Sequence, residues 1–234
     1  SFYIGGLALF INFLAFTFII KEPPMPKSTV PLTAEEKNPM HLWHIPILRT
    51  MMIVSTLAQM VLYILMPVIT TYIKALAGSM DNIVFVAGAV FSLSGIAGAI
   101  AAPLWGIYGT RRTYFNSMFL AMLFGGIMFT LQGIPDTLMP FAVMQFGVGL
   151  FIAGIQPSLN AIIAQHTPPQ LKGSVFGLLF SAQQIGGAAG PLLGGVVATY
   201  LGMHYLFPTA GSILLMLALF VRWRYIMNRH AAAE

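Results

Sequence analysis

The side chains that could do chemistry in this 234-residue sequence are amides and hydroxyls placed within long apolar runs. In the run 137–163, helical spacing brings four residues to one face: Gln145, Gly149, Gln156 and Asn160. A similar stripe follows the run 49–73: Ser55, Gln59, Tyr63, Met66 and Thr70. An unpaired amide in hydrocarbon is costly, so both stripes are expected to face other helices or a water-filled cavity. Hydrogen bonding between helices and lining of a substrate path remain open alternatives. The substrate-path candidates are Gln59, Tyr63, Gln145, Gln156 and Asn160.

Enzyme chemistry and metal binding are not predicted from these residues. The sequence has no cysteine, and the pair His41 and His44 has only Glu35 and Glu36 as nearby acids. No serine in an apolar run has a neighbouring histidine to activate it. We therefore predict no catalytic residue, no metal site and no cofactor. The six acids all lie outside the depth of the runs, so this part carries no predicted proton-carrying carboxylate: Glu22, Glu35, Glu36, Asp81, Asp136 and Glu234.

The elements that must position these side chains are membrane-spanning helices. The sequence is 58% hydrophobic and 7% charged, against roughly 25% charged residues in soluble domains. So few charges cannot cover a water-facing surface, which makes the lipid bilayer the expected surroundings. Seven apolar runs are long enough to cross it: 1–20, 49–73, 83–105, 114–133, 137–163, 174–200 and 205–226. The predicted fold class is an all-α membrane protein.

Lysine and arginine predict the orientation. Ten of the eleven basic residues fall on one side of the alternating spans, and only Lys74 falls on the other. Loops rich in these residues stay in the cytoplasm, so we expect a multi-pass protein of the plasma membrane with a cytoplasmic C-terminus. This distribution also explains the pI of 9.6 without a nucleic-acid partner. The ten residues are Lys21, Lys27, Lys37, Arg49, Arg111, Arg112, Lys172, Arg222, Arg224 and Arg229.

The spans are unevenly distributed around the polar segment 21–48, which holds six prolines and is read as a cytoplasmic linker. One span precedes it and six follow. We therefore assign 1–20 to the last helix of a truncated N-terminal bundle, 49–227 to a six-helix C-terminal bundle and 228–234 to a cytoplasmic tail. The missing N-terminal half is an expected partner.

Small residues recur every four positions in the run 174–200: Ala182, Gly186, Gly190, Gly194 and Ala198. Such spacing makes a groove along one helix face, where a second helix can approach closely. Pro191 removes a backbone donor and is expected to bend this helix. A shorter small-residue face is predicted in the run 83–105, from Ser94, Gly98 and Ala102.

The same glycines carry a resemblance to a known family. Gly177, Gly186, Gly190, Pro191, Gly194 and Gly195 match the spacing G-x8-G-x3-G-P-x2-G-G. This is the antiporter motif of drug:proton antiporters in the major facilitator superfamily. That family places it in the fifth helix; here it stands in the eleventh, its counterpart in the second half. The segment from Gly106 through Gly109 to Arg111 and Arg112 resembles the cytoplasmic gating loop G-x-x-x-D-R, with Thr110 in place of the aspartate.

The resemblance covers nearly the whole chain and is nearest to bacterial multidrug efflux pumps of the quinolone-resistance type. It implies twelve helices in two bundles that rock around a central site. It also implies proton-driven efflux of small lipophilic drug-like substrates, and hence antibiotic resistance. A major facilitator exporter of a sugar or metabolite is the alternative. A seven-helix receptor is more distant, because Asp-Arg-Tyr and Asn-Pro-x-x-Tyr sequences and a lysine in the last span are missing.

Overall fold

The computed structural model describes residues 2–19, 45–78 and 83–231, and all regular structure within them is helical. The helices are α1 (Phe2–Ile19), α2 (Pro46–Ile64), α3 (Ile69–Ala77), α4 (Ile83–Arg111), α5 (Tyr114–Leu131), α6 (Leu138–Ile152), α7 (Ile155–Gln165), α8 (Lys172–Tyr200) and α9 (Leu206–Ala231). Short 3₁₀ turns occupy Pro169–Leu171 and Met203–Tyr205. Helices predominate because lipid offers no partner for free backbone groups. The expected all-α membrane fold is confirmed.

The chain divides into two compact units, residues 1–33 and 34–234. The first contains α1, whose large side chains such as Phe13, Phe16 and Phe18 are exposed, as expected for a helix surrounded by lipid. The second contains the remaining helices. Most of the predicted linker 21–48, and with it His41 and His44, lies outside the described residues. Helix α9 continues to Ala231, beyond the predicted start of the tail at residue 228, whereas the apolar span of this helix ends at Met227.

Five stretches in the described residues are long and apolar enough to cross a membrane, whereas the sequence predicts seven spans. Helix α8 has 29 residues and is long enough, but its glycines and glutamines lower its mean hydropathy. The apolar part of α1, Gly5–Phe18, is shorter than the other spans. The five are Pro46–Ile64, Val84–Arg111, Tyr114–Leu131, Leu138–Gln165 and Met203–Met227.

Three predicted boundaries are wrong in detail. The run 49–73 begins earlier, with Pro46 in the first helical turn, and a turn containing Pro67 separates α2 from α3. The run 137–163 is two helices, because the chain turns at Ala153 and Gly154. The expected loop 109–112 is mostly helical, since α4 continues to Arg111. Proline cannot donate a helical hydrogen bond, which accounts for the first break. Pro191, by contrast, lies within an uninterrupted α8.

The second unit is built from three closely packed helix pairs: α2 with α8, α5 with α9, and α4 with α6. Small residues permit the approach in each pair. On α9, a Cβ at Gly211 would lie 2.6 Å from the backbone oxygen of Gly126 on α5. On α6, a Cβ at Gly149 would lie 2.7 Å from the Cα of Ser94 on α4. Backbone-to-backbone contact therefore fixes the separation of these pairs.

Candidate functional site

Hydroxyl groups in the spans are mostly satisfied within their own helices. Ser55 and Thr56 both donate to the carbonyl of Met52, each at 2.9 Å. Ser92 and Ser181 likewise donate to carbonyls one turn earlier. A glutamine amide is longer and carries both a donor and an acceptor, so it can reach a neighbouring helix. Glutamine side chains are therefore expected to form the hydrogen bonds that connect one helix with another.

Three glutamines from three helices form a chain of hydrogen bonds, which we call the glutamine cluster: Gln59 on α2, Gln156 on α7 and Gln183 on α8. The Nε2 of Gln183 donates to the Oε1 of Gln156 at 3.2 Å. The Nε2 of Gln156 donates to the Oε1 of Gln59 at 3.4 Å. All three side chains are partly buried. The structure thus brings together two of the five path candidates predicted from the sequence.

The two ends of the glutamine cluster remain open. No partner among the described residues bonds the Nε2 of Gln59 or the Oε1 of Gln183, and neither atom is sealed from solvent. The cluster can therefore offer one donor and one acceptor to a bound molecule. It contains no ionisable group, so its recognition would use neutral hydrogen bonds.

Gln183 was missed in the sequence analysis, although a signal was available. It lies seven residues before Gly190 and eleven before Gly194, which places all three on one face of α8. The groove was predicted from its small residues alone, and the neighbouring amide of Gln183 was left out. Gln132 was missed for another reason: it stands at the end of a span, just beyond α5, where a polar residue usually faces water.

The other path candidates occupy different positions. Gln145 pairs with Gln132, whose Nε2 donates to the Oε1 of Gln145. Tyr63, one turn beyond Gln59, is 37% exposed, and Asn160 is exposed. The turn at Ala153 and Gly154 places Gln145 and Gly149 on α6, and Gln156 and Asn160 on α7.

The glycine groove on α8 holds α2 at backbone contact. A Cβ at Gly190 would lie 2.6 Å from the Met60 carbonyl oxygen and 2.9 Å from the Cβ of Tyr63. Cβ atoms at Gly186 and Gly194 would overlap the carbonyl oxygens of Thr56 and Ile64. Real Cβ atoms do not tolerate such distances, so these three positions set the separation of α2 and α8. That separation also sets the reach between Gln59 and Gln183.

Other glycines of the motif behave differently. A Cβ at Gly177 or Gly195 would meet nothing within 4 Å among the described residues. Pro191 is half-buried on α8. The motif thus combines three glycines that contact α2 with two whose faces are open in this chain.

The predicted gating segment forms the last turns of α4. Gly106 has open space around it, whereas a Cβ at Gly109 would lie 2.5 Å from the ring of Tyr114. Thr110 donates to the Ile107 carbonyl at 2.8 Å. Arg111 and Arg112 are exposed, and within the described part of the chain no ion pair joins them. Thr110 therefore gives these arginines no carboxylate partner, unlike the aspartate of the motif that it replaces.

The fold and this site define a bundle of membrane-spanning helices with amides in its interior. The family model described as Major Facilitator Superfamily matches residues 84–233. The chain belongs to this superfamily of transporters.

Curated relatives resemble the chain over its whole length. It is 24% identical over 233 residues to the Multidrug resistance protein MdtG of Salmonella arizonae, Salmonella paratyphi B and Salmonella newport. Each alignment covers 100% of this chain and 57% of the relative. The chain thus spans somewhat more than half the length of these relatives.

Proposed function

We propose that this chain is the C-terminal half of a proton-coupled efflux pump for lipophilic small molecules, working by alternating access in the inner membrane of a bacterium. The observation that carries the proposal is the likeness over the whole chain to relatives named for multidrug resistance. Superfamily membership supports transport, and the apolar spans support a bilayer location.

The glutamine cluster supplies a site that suits this role. Its open donor and acceptor can bind uncharged polar groups of a lipophilic molecule, while neighbouring apolar side chains bind the remainder. A mostly apolar environment with a few well-placed polar groups is typical of small-molecule sites. The cluster joins α2, α7 and α8, so movement of these helices against each other would change its geometry.

Proton coupling requires a proton-carrying group, and no acidic residue lies within the apolar runs of this sequence. Among the described residues the acid is Asp136, which is exposed between α5 and α6. The proposal therefore places the proton-carrying carboxylate in the other half of the transporter. Intramembrane carboxylates are the usual carriers in such pumps.

Export of a sugar or metabolite is a second candidate, favoured by the same amides. Glutamine side chains bind hydroxyl groups well, and a hydroxyl-rich molecule could use both open ends of the cluster. The two candidate functions differ in the molecule that is exported: a lipophilic drug in the first, and a sugar or metabolite in the second.

Drug susceptibility and export can separate these functions. We would express the protein, as its own cell makes it, in a bacterium lacking its major efflux pumps. Efflux predicts raised resistance to several chemically unrelated lipophilic drugs and lower accumulation of ethidium. Unchanged susceptibility with release of a sugar into the medium would instead establish the second candidate. A Gly190→Leu variant, matched for membrane abundance, is the inactive control.

A further inference from the structure

A cavity of about 330 Å³ lies in the second unit between α2, α4 and α6. Its wall is largely apolar, with Met66, Phe91, Phe129 and Val148 among the lining residues. No charged side chain contributes to it. The volume is within the range of small-molecule sites.

Two polar side chains line this cavity, Ser94 and Gln145. The Ser94 hydroxyl donates to the Phe91 carbonyl at 2.8 Å, so its hydrogen is already used. Gln145 is 8% exposed, and its Oε1 accepts from Gln132. Ser94 can therefore only accept a further hydrogen bond, and among the lining side chains a donor to a ligand has to come from Gln145.

The amide pair Gln132–Gln145 leaves hydrogen-bonding capacity unused. The Oε1 of Gln132 is buried without a partner. No described residue accepts from the Nε2 of Gln145, and that atom is not sealed from access. A buried polar group without a hydrogen-bond partner destabilises the protein. A ligand acceptor at the cavity wall would satisfy the free Nε2.

We infer that this cavity binds a small, uncharged, apolar molecule with one hydrogen-bond acceptor, such as a carbonyl or ether oxygen, to which the Nε2 of Gln145 donates. Charged ligands are disfavoured because an unpaired charge is expensive to bury. Gln132 acts as a positioning residue, since its bond to the Oε1 of Gln145 holds that amide. The inference rests on the proposed function and narrows its cargo to this substrate class.

The cavity is separate from the glutamine cluster. Gln59, Gln156 and Gln183 do not line it. On α2 its lining starts at Leu62, one turn beyond Gln59, and on the other side it includes Ala153, one turn before Gln156. Because the two sites are only one helical turn apart, substitutions in the pair and in the cluster can be coupled, and a double-mutant cycle separates their effects.

Benzophenone is a suitable probe because it is apolar, uncharged and carries a single carbonyl. Under ultraviolet light its carbonyl removes a hydrogen from a nearby C–H group, and the two radicals join, so the whole probe is added. Membranes containing the full protein would be irradiated with benzophenone and the adducts mapped by mass spectrometry. We expect the main adduct on the cavity, especially on Val148, a lining residue that is only 4% exposed. Diphenylmethane, which lacks the carbonyl, should compete poorly.

The variants Gln145→Leu and Gln132→Leu/Gln145→Leu should lower the Val148 adduct about fivefold to tenfold, the worth of one hydrogen bond. The double variant keeps the test valid if Gln145→Leu alone fails to fold, because it leaves no unpaired amide. Gln184→Leu is the matched control, because this exposed glutamine on α8 belongs neither to the cavity nor to the glutamine cluster, and it should retain the adduct.

Adducts spread over lipid-exposed residues such as Val84 and Leu192, or equal yields in all variants, would overturn the inference. Equal protection by diphenylmethane would also overturn it, since the carbonyl would then contribute nothing. Photolabelling reads binding without transport. Labelling as expected in a protein that moves no drug would therefore reject the proposed function and leave the site standing.

Discussion

At the scale of single residues, the polar side chains inside this bundle include two kinds, hydroxyls and glutamine amides. Hydroxyls such as those of Ser55 and Thr56 return to their own backbone and link nothing. Glutamines connect helices, and those of the cluster retain unused donors and acceptors. This difference follows from side-chain length, because a serine or threonine hydroxyl reaches the preceding turn while an amide extends beyond it.

Gln156 is the central member of the cluster, so its replacement should have the largest effect on cargo selection. Gln156→Leu removes both inter-helix hydrogen bonds, and each is worth about 0.5–1.5 kcal/mol. We expect a changed drug-resistance spectrum with near-normal membrane abundance. Inhibitory concentrations for a panel of drugs, with immunoblots of membranes, would measure this. Loss of the protein itself would assign Gln156 to folding.

Gln183 and Gln184 offer a comparison between neighbours on one helix. Gln183 bonds Gln156, whereas Gln184 is exposed and lies on the far side of α8 from the glycine groove. Gln183→Leu should reproduce the Gln156→Leu spectrum, and the double variant should add little because the residues act together. Gln184→Leu should match the parent. Identical effects of Gln183→Leu and Gln184→Leu would contradict a role for the glutamine cluster in cargo selection.

At the scale of elements, the contact of α2 with α8 links packing to the site. Gly186, Gly190 and Gly194 meet backbone atoms of α2, so a methyl group cannot be accommodated by a side-chain rotation. The helices would have to separate, and the amides they carry would move with them. A transporter adds a further demand, because its end states must stay close in free energy.

Gly190→Ala and Gly187→Ala form a matched pair on α8. The added methyl at Gly190 would press on Met60 and Tyr63, while that at Gly187 meets nothing within 4 Å. Overpacking costs about 1–3 kcal/mol, and about 1.4 kcal/mol already shifts two end states tenfold. Gly190→Ala should lose most dye efflux while still yielding folded protein, and Gly187→Ala should be near normal. Size-exclusion profiles and efflux rates would measure both.

The sequence predicted the helices better than it predicted which helices pack against each other. Apolar length located most of the helices, and four-residue spacing marked the groove on α8, but the break between α2 and α3 near Pro67 was not predicted. The identity of α2 as the helix in that groove depends on tertiary packing, which periodicity does not encode. The break at Ala153 and Gly154 also escaped prediction, because Trp105 packs against Gly154 from another helix.

At the scale of the whole molecule, the charges predict which ends of the helices face the cytoplasm. Pro169 lies on the basic side, near Lys172, and Asp136 on the side poor in basic residues; both are exposed. Single cysteines at these positions can be introduced into a background with no cysteine of its own. A membrane-impermeant thiol reagent should label Asp136→Cys in intact cells and Pro169→Cys only after permeabilisation. The reverse pattern would invert the topology.

The proposed function assigns different roles to the two halves of the transporter. This chain supplies amides and a tightly packed helix pair, and the proton carrier is assigned to the other half. The 234-residue chain reconstituted by itself should therefore show no dye movement driven by a pH gradient. Gradient-driven movement by this chain alone would contradict that division.

The central claim is that the complete protein exports lipophilic molecules at the expense of a proton gradient. Reconstitution into liposomes, followed by ethidium fluorescence after an imposed pH gradient, tests it most directly. We predict dye movement that starts with the gradient, stops when an ionophore collapses it, and falls strongly in Gly190→Ala but not in Gly187→Ala. Dye movement that is insensitive to the gradient, or absent in a folded protein that exchanges a sugar or metabolite, would contradict the claim.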